Sequence, residues 1–126
     1  IRFIEWIKTN PVPLNSKVNY LTNAREIALV GTKGSKPKFH SEYDNGVYKY
    51  PIYHSKHRFH PTQKPVELMC DIINKHSDIG DTILDVFLGS GTTAVASIKR
   101  NRICKGCEID PIMYKKMIGR IEEIYD

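Results

Sequence analysis

The sequence has few cysteines and no long apolar run, and both shortages restrict the class of protein. Three cysteines in 126 residues do not make a disulfide framework, so a reducing, cytoplasmic compartment is the simpler prediction. No stretch approaches the roughly 20 apolar residues that a transmembrane helix needs, so no membrane partner is predicted. With 40% hydrophobic and 26% charged residues, the composition is typical of a globular domain.

The N-terminal half predicts two strands, followed by an irregular insert. The chain is short enough for one domain, but it starts at Ile1 and enters strand-like sequence at once, so we expect a piece of a longer protein. β-branched and aromatic residues predict strands at 2–9 and 25–33. Gly, Pro, Ser and Asn predict irregular structure afterwards, with one short strand near 47–50.

The C-terminal half has the pattern of an α/β fold. A helix is predicted from Pro65 towards Gly80, and its apolar face consists of Leu68, Met69, Ile72 and Ile73. Strands at 82–87 and 102–109 flank a helix at 91–101, which predicts a βαβ unit with parallel strands. The last helix is predicted to have Asp110 as its N-cap, and its apolar stripe to be Tyr114, Ile118, Ile121 and Tyr125.

The net charge of +5 is concentrated between residues 31 and 60, which carry six basic and two acidic side chains. Aromatic residues and histidines lie among these charges: Phe39, His40, Tyr43, Tyr48, Tyr50, Tyr53, His54, His57, Phe59 and His60. Basic residues interleaved with aromatic ones suit a polyanion whose bases can be stacked. A solvated surface insert is the alternative.

A metal site is not predicted, although "CKGC" at 104–107 and "HSKHRFH" at 54–60 contain common ligand residues. Cys104 and Cys107 lie in a predicted strand, where a three-residue step spans roughly 10 Å and turns the side chains to opposite faces. Because zinc needs converging ligands, we predict instead that the cysteines are buried and act as small hydrophobic residues.

The glycine loop "LDVFLGSGTTAVA" at 84–96 is the strongest functional signal. It lacks the lysine of a Walker A loop, which excludes ATP binding of the P-loop kind. Gly89, Gly91 and Ala94 match a variant dinucleotide fingerprint, which alone is a weak signal. Asp85 lies in the predicted strand that leads into the glycines, close enough to meet a cationic amine. Glu108 ends the next strand, where a carboxylate can bind both hydroxyls of a ribose.

S-adenosylmethionine fits this pair of acidic residues, because it has an amino acid at one end and a nucleoside at the other. The alternative is a tight glycine turn beside two surface acids.

Three motifs in order resemble a known enzyme family. "HPTQKP" at 60–65, "ILDVFLGSGTTAVA" at 83–96 and "GCEID" at 106–110 resemble the C-terminal half of the β-class amino-methyltransferases of DNA, which make N6-methyladenine or N4-methylcytosine. "EWIKTNP" at 5–11 and "NAREIALVGTK" at 23–33 look like the strands that follow the catalytic region of that family.

The resemblance implies a Rossmann-like, S-adenosylmethionine-dependent methyltransferase fold: a mixed sheet with helices on both faces, incomplete in this chain. Residues 1–33 would be the C-terminal strand pair of the catalytic sheet. Residues 34–59 would be the target-recognition insert that contacts double-stranded DNA. Residues 60–126 would be the cofactor-binding βαβ region with its flanking helices.

The resemblance also assigns residues. The cofactor would contact His60, Thr62, Lys64, Asp85, Phe87, Gly89, Ser90, Gly91, Thr92 and Glu108. DNA would contact Lys33, Lys36, Lys38, Lys56 and Arg58. The implied setting is the cytoplasm of a bacterial, archaeal or phage-infected cell, with adenine N6 preferred to cytosine N4 as the target.

The catalytic [DNS]PP[YFW] motif of the family occurs nowhere in these residues. That loop holds the poorly nucleophilic amine while an aromatic side chain stacks on the flipped base. Trp6, Lys8 and Asn10 are weak candidates for catalytic residues in its place. We therefore expect the chain alone to be inactive and a preceding part of the same methyltransferase to complete it.

A second copy of this chain, in a homodimer, is considered as a further partner. Two alternative functions stay open: the chain would then be a non-catalytic DNA- or cofactor-binding remnant or subunit, or a nicotinamide-dependent dehydrogenase domain. "HPTQKP" and the basic insert disfavour the last.

Overall fold

A computed structural model of the chain describes residues 1–12, 21–34, 36–53 and 63–126. It divides the chain into two compact units. The N-terminal unit contains Ile1–Pro37 and Ser41–Ile52, and the C-terminal unit contains Lys38–His40 and Tyr53–Asp126. This division differs from the three regions predicted from the sequence, because the insert predicted at 34–59 contributes to both units.

The N-terminal unit is a three-stranded sheet. Its strands are β1 (Arg2–Lys8), β2 (Arg25–Val30) and β3 (Val47–Tyr50), in the order β2-β1-β3. β1 pairs antiparallel with β2 and parallel with β3. The three predicted strands are confirmed, and the pairing of β3 with β1 explains why part of the insert belongs to this unit.

The core of this sheet centres on Trp6 and Tyr48, which are opposite each other in the β1–β3 register and are both buried. The Trp6 indole Nε1 donates a hydrogen bond of 2.9 Å to the Tyr50 carbonyl. Lys8 is also buried; its ammonium bonds to Glu26 at 3.0 Å and lies 5.3 Å from the Trp6 ring centroid. The face that alternates with this core carries exposed apolar side chains at Phe3, Ile27 and Leu29.

The C-terminal unit consists of α1 (Val66–His76), β4 (Thr82–Asp85), α2 (Thr92–Lys99), β5 (Ile103–Gly106) and α3 (Pro111–Glu122). β4 and β5 are parallel, in register from Thr82 opposite Ile103 to Asp85 opposite Gly106. This confirms the predicted βαβ unit. Among the described residues, no helix is long and apolar enough to cross a membrane.

Small side chains allow α1 and α2 to pack closely. Ala94, Ala96 and Ser97 on α2 are buried, and Ala96 forms a core cluster with Cys70 and Ile73 of α1. Ile83 of β4 packs against the same cluster. The apolar face predicted for α1 is confirmed, with Leu68 and Ile73 buried and Met69 and Ile72 partly buried.

α3 begins where it was predicted to begin, but the side chain that it buries does not belong to the predicted apolar stripe. The Asp110 carboxylate accepts hydrogen bonds from the amides of Ile112 and Met113, which confirms its role as N-cap. Met117 is the buried residue of α3, whereas Tyr114 and Tyr125 are exposed, so the predicted stripe is wrong at these two positions. The reason is that Met117 packs beneath the glycine loop, which periodicity does not reveal.

The cysteine prediction is correct for Cys70 and wrong for Cys107. Cys70 is buried, Cys104 is intermediate and Cys107 is exposed. Strand β5 ends at Gly106, so Cys107 lies beyond it, and its Sγ donates a hydrogen bond to the Val86 carbonyl at 3.2 Å. Burial raises the pKa of the Cys104 thiol.

Candidate functional site

The carboxyl ends of β4 and β5 open into one cavity. Ligands of α/β sheets bind at such ends because the loops that follow parallel strands meet there. The cavity measures about 490 Å³, within the range of roughly 300–1,000 Å³ typical of small-molecule sites. It is lined by Lys64, Met69, Asp85, Phe87, Leu88, Gly89, Ser90, Thr92, Thr93 and Glu108. Seven of these ten residues were predicted as cofactor contacts. Five of them belong to the glycine loop, the sixth is Glu108, and the seventh is Lys64 of "HPTQKP".

The loop between β4 and α2 turns sharply at two glycines. Gly89 and Gly91 have φ angles of 53° and 79°, in the left-handed region that favours glycine. The Gly91 amide closes the turn by donating to the Leu88 carbonyl at 2.8 Å. A Cβ on Gly91 would lie 2.5 Å from Cγ of Met117, so α3 packs directly beneath this turn.

Asp85 ends β4 and is oriented by the loop that follows it. Its Oδ1 accepts a hydrogen bond of 2.9 Å from the Phe87 amide. Within the described part of the chain, Oδ2 accepts none, and the carboxylate lines the cavity. One oxygen is therefore used to orient the side chain, while the other is available to an ammonium group of a ligand.

Glu108 lies just beyond β5 and connects the two strand ends. Its Oε2 accepts a hydrogen bond of 2.7 Å from the Gly89 amide, and its Oε1 accepts one of 2.9 Å from the Asp110 amide. The sequence did not indicate these contacts. Because each carboxylate oxygen can accept about two hydrogen bonds, both oxygens retain one lone pair for ligand hydroxyls.

Ser90 and Thr92 are buried, and their hydroxyl groups form hydrogen bonds that stabilise the loop. Their hydroxyl oxygens are 3.2 Å apart, and Thr92 Oγ1 donates to the Lys64 carbonyl at 3.3 Å. This bond joins the glycine loop to the "HPTQKP" segment. His60 and Thr62 lie outside the described residues, so their predicted roles stay predictions.

Arg120 of α3 contacts two residues of this site, and the sequence did not identify it. Its Nη1 donates to the Ser90 carbonyl at 2.9 Å and to Thr92 Oγ1 at 3.1 Å. Burial lowers the pKa of its guanidinium. One feature of the sequence could have indicated Arg120: it is a basic residue three positions after Met117, on the apolar side of the predicted helix. Met69, Leu88 and Thr93 were also missed, and no pattern marks them as cavity residues.

The three weak catalytic candidates have structural contacts in the N-terminal unit. Trp6 is in the core of the sheet, and Lys8 is buried against it. The Asn10 side chain pairs with the main chain of Ile52: Oδ1 accepts from its amide at 2.5 Å and Nδ2 donates to its carbonyl at 3.4 Å. These contacts favour structural roles over catalytic ones.

The predicted DNA contacts fall into three groups. Lys33 and Lys36 are exposed, whereas Lys56 and Arg58 lie outside the described residues. The ammonium of Lys38 bonds to both Asp81 oxygens, at 2.7 and 2.9 Å, and to Asp78 at 2.9 Å.

The bonds from Lys38 hold the pKa values of Asp81 and Asp78 below their usual range. The charge of Lys38 is thus matched within the protein, which argues against its predicted role on DNA.

Comparison with known proteins agrees with this arrangement. The family described as DNA methylase, of the N6/N4 type, matches residues 1–118. The chain belongs to this family. The resemblance to β-class amino-methyltransferases is therefore confirmed.

Individual relatives cover nearly all of the chain. It is 34% identical over 122 residues to the type II methyltransferase M2.MboI of Moraxella bovis, covering 86% of the chain and 44% of the relative. It is 33% identical over 134 residues to M2.DpnII of Streptococcus pneumoniae, covering 94% of the chain and 50% of the relative. The chain thus spans about half the length of these curated relatives.

A solved relative has the same fold. The crystal structure of M1.HpyAVI in complex with SAM superposes with a TM-score of 0.77 and 31% sequence identity, covering 95% of this chain and 60% of that one. The predicted methyltransferase fold class is confirmed.

Proposed function

We propose that this chain is the cofactor- and DNA-binding part of a methyltransferase that uses S-adenosylmethionine to methylate an exocyclic amine in double-stranded DNA. The observation that supports it most is the position of Asp85 and Glu108, which lie at the carboxyl ends of adjacent parallel strands and line one cavity. The cofactor bound in the structure of the relative M1.HpyAVI supports the same ligand.

The residues around the cavity suit the groups of this cofactor. Oδ2 of Asp85 would accept from the methionine ammonium, and the remaining lone pairs of Glu108 would accept from the ribose hydroxyls. The Lys64 ammonium would attract the methionine carboxylate, near the positions expected for His60 and Thr62. When bound, S-adenosylmethionine supplies an electrophilic methyl group, and the chain's own residues hold and orient it.

The variant Asp85→Asn tests the cofactor proposal. The asparagine side chain is nearly isosteric and can still accept from the Phe87 amide, but its NH₂ group meets the cationic amine with a donor. Because a hydrogen bond to a charged group contributes about 1.5–3 kcal/mol, we expect S-adenosylmethionine to bind about ten- to a hundredfold more weakly by calorimetry. Asp126→Asn, at the exposed C-terminus, is the matched control. Equal affinity in Asp85→Asn and the wild type would remove Asp85 from the site.

The basic segment, residues 31–60, is proposed to contact the DNA backbone through Lys33 and Lys36. Removing a lysine that binds a phosphate should reduce the dependence of log affinity on log salt by about one unit of slope. We therefore expect this reduction in Lys33→Gln and in Lys36→Gln, measured by fluorescence anisotropy over a salt series. We expect no such reduction in Lys38→Gln, whose ammonium already bonds to two carboxylates, or in the control Lys115→Gln. A salt dependence that is flat in the wild type would contradict DNA binding by this segment.

We also propose that a preceding segment of the same methyltransferase completes the active site and the sheet. Two features support this proposal. The catalytic motif of the family is absent from the 126 residues, and β4 pairs only with β5 within the described part of the chain. On the face of β4 and β5 that alternates with Ile83, Leu84 is 70% exposed and Ile103 54%. An uncovered apolar face and an unpaired edge are typical of an interface.

The same missing motif favours a second candidate, a non-catalytic DNA- or cofactor-binding subunit of a bacterial cytoplasmic modification system. The coding sequence upstream of Ile1 separates the two. The enzyme proposal requires a [DNS]PP[YFW] motif there, and a continuous upstream sequence without one would contradict it. A homodimer of this chain would appear as a doubled mass in sedimentation equilibrium.

Adenine N6 is the proposed target rather than cytosine N4. Mass spectrometry of nucleosides from DNA treated with the complete methyltransferase distinguishes N6-methyldeoxyadenosine from N4-methyldeoxycytidine. Detection of the second alone would reverse this choice while leaving the methyltransferase proposal intact.

A further inference from the structure

Helix α3 contacts the cofactor loop from the side away from the cavity. Met117 and Arg120 are three residues apart and therefore lie on the same side of the helix. Met117 packs under Gly91, while the Arg120 guanidinium bonds to Ser90 and Thr92. Neither Met117 nor Arg120 lines the cavity.

The position of Arg120 is electrostatically unfavourable. Its guanidinium is half-buried, and burial lowers its pKa. It contacts the first residue of α2, where the helix dipole disfavours a cation, and the first turn of α2 contains no acidic residue. Within residues 1–12, 21–34, 36–53 and 63–126, no carboxylate forms an ion pair with it. Removing a cation from water without a counter-ion costs free energy, so an apolar residue of similar length would serve stability as well.

The hydrogen bonds of Arg120 show what the guanidinium contributes. The bond to the Ser90 carbonyl fixes the peptide that leads into Gly91, the turn of the loop. The bond to Thr92 Oγ1 orients the hydroxyl that donates to the Lys64 carbonyl. One side chain thereby connects the two walls of the cavity that come from the glycine loop and from the segment before α1.

We propose that Arg120 is a positioning residue for cofactor binding. It preforms the loop and its link to Lys64, so that Asp85, Gly89 and Lys64 are in place before the ligand arrives. This inference rests on the proposed function of the cavity as the S-adenosylmethionine site. Preorganisation of this kind raises affinity by lowering the cost of ordering the site on binding.

The test compares Arg120→Met, Arg120→Lys and the control Lys115→Met, which changes an exposed position on the same helix. Methionine retains the apolar stem and removes the donors. We expect the midpoint of thermal unfolding to stay within about 5 °C of the wild type, while S-adenosylmethionine binds about tenfold more weakly. Lysine retains the charge and three donors but lacks the rigid planar guanidinium, so it should recover part of the affinity.

Hydrogen exchange provides a second measurement that requires no cofactor. The amides of Gly89 and Gly91 bond to Glu108 and to the Leu88 carbonyl, and they report directly on the loop. We expect both to exchange at least severalfold faster in Arg120→Met, less so in Arg120→Lys, and unchanged in Lys115→Met.

The outcomes separate this inference from the proposed function. If the wild type binds S-adenosylmethionine and Arg120→Met binds it equally tightly, the role of Arg120 is overturned and the proposed function stands. If the wild type does not bind it, the proposed function fails, and the exchange rates of the Gly89 and Gly91 amides then test whether Arg120 orders the loop. Unchanged exchange at both glycines in the methionine and lysine variants would overturn its role. If the methionine variant does not fold, Arg120→Lys decides by the same two measurements.

Discussion

Replacing Gly106 with alanine is expected to lower the midpoint of thermal unfolding by roughly 10 °C or more. Gly106 is the last residue of β5 and lies opposite Asp85 in the register. A Cβ at this position would overlap the main-chain oxygen of Asp85 and lie 2.8 Å from Cγ of Leu88. That oxygen accepts a hydrogen bond from the Cys107 amide at 3.2 Å, so it cannot shift without weakening the strand pairing. We expect a loss of about 3 kcal/mol in the free energy of unfolding.

Gly119→Ala is the matched control, with an expected effect of the opposite sign. Gly119 is inside α3, and no atom lies within 4 Å of the Cβ that would be added. Alanine is favoured over glycine inside a helix by about 0.5–1 kcal/mol, so this variant should be slightly more stable than the wild type.

Circular dichroism melts of the two variants test the contact between β5 and the loop. Gly106→Ala should also bind S-adenosylmethionine weakly, because it displaces the strand ends that carry Asp85 and Glu108. An unchanged melting midpoint in Gly106→Ala would show that β5 does not approach Leu88 as closely as described.

Replacing Glu108 with alanine is expected to affect both cofactor binding and stability. Loss of the proposed ribose contact should weaken S-adenosylmethionine binding by tenfold or more. The amides of Gly89 and Asp110 also lose their acceptor, which should lower the free energy of unfolding by about 2 kcal/mol. Glu108→Gln, which keeps one acceptor oxygen, should be intermediate in both measurements.

The two effects are separated by measuring affinity well below the melting temperature of each variant, with Glu122→Gln on the exposed end of α3 as control. Unchanged affinity in Glu108→Ala would remove the ribose assignment. Unchanged stability would contradict the tether between Gly89 and Asp110. A loss of stability with full affinity would make Glu108 a purely structural residue.

The sequence was a reliable guide wherever the decisive interactions are local. The eight strands and helices of the described residues occur where they were predicted, and the parallel pairing of β4 and β5 followed from the βαβ pattern. Asp110 was recognisable as an N-cap because its partners are the amides two and three residues along the chain. Gly89 and Gly91 likewise marked the position of the loop, where the structure shows both with positive φ angles.

Contacts between distant parts of the chain were not predictable in this way. The Arg120 guanidinium meets the glycine loop because α3 folds back over residues 30 positions earlier, and no local pattern encodes that approach. Lys38 looked like a DNA contact because its neighbours in sequence are basic, whereas its neighbours in space are Asp78 and Asp81. Cys107 was expected to be buried because the strand was predicted to continue beyond Gly106.

Three residues of the basic segment limit how much of residues 34–59 can be replaced without loss of stability. Lys38, Phe39 and His40 belong to the C-terminal unit: Lys38 lies between Asp78 and Asp81, and the His40 amide donates to the Lys75 carbonyl at 2.8 Å. A hybrid gene that replaced residues 34–59 would remove these contacts and leave the two carboxylates beside each other. A replacement within residues 34–59 retains the contacts of Lys38 and His40 only if its upstream junction falls after His40.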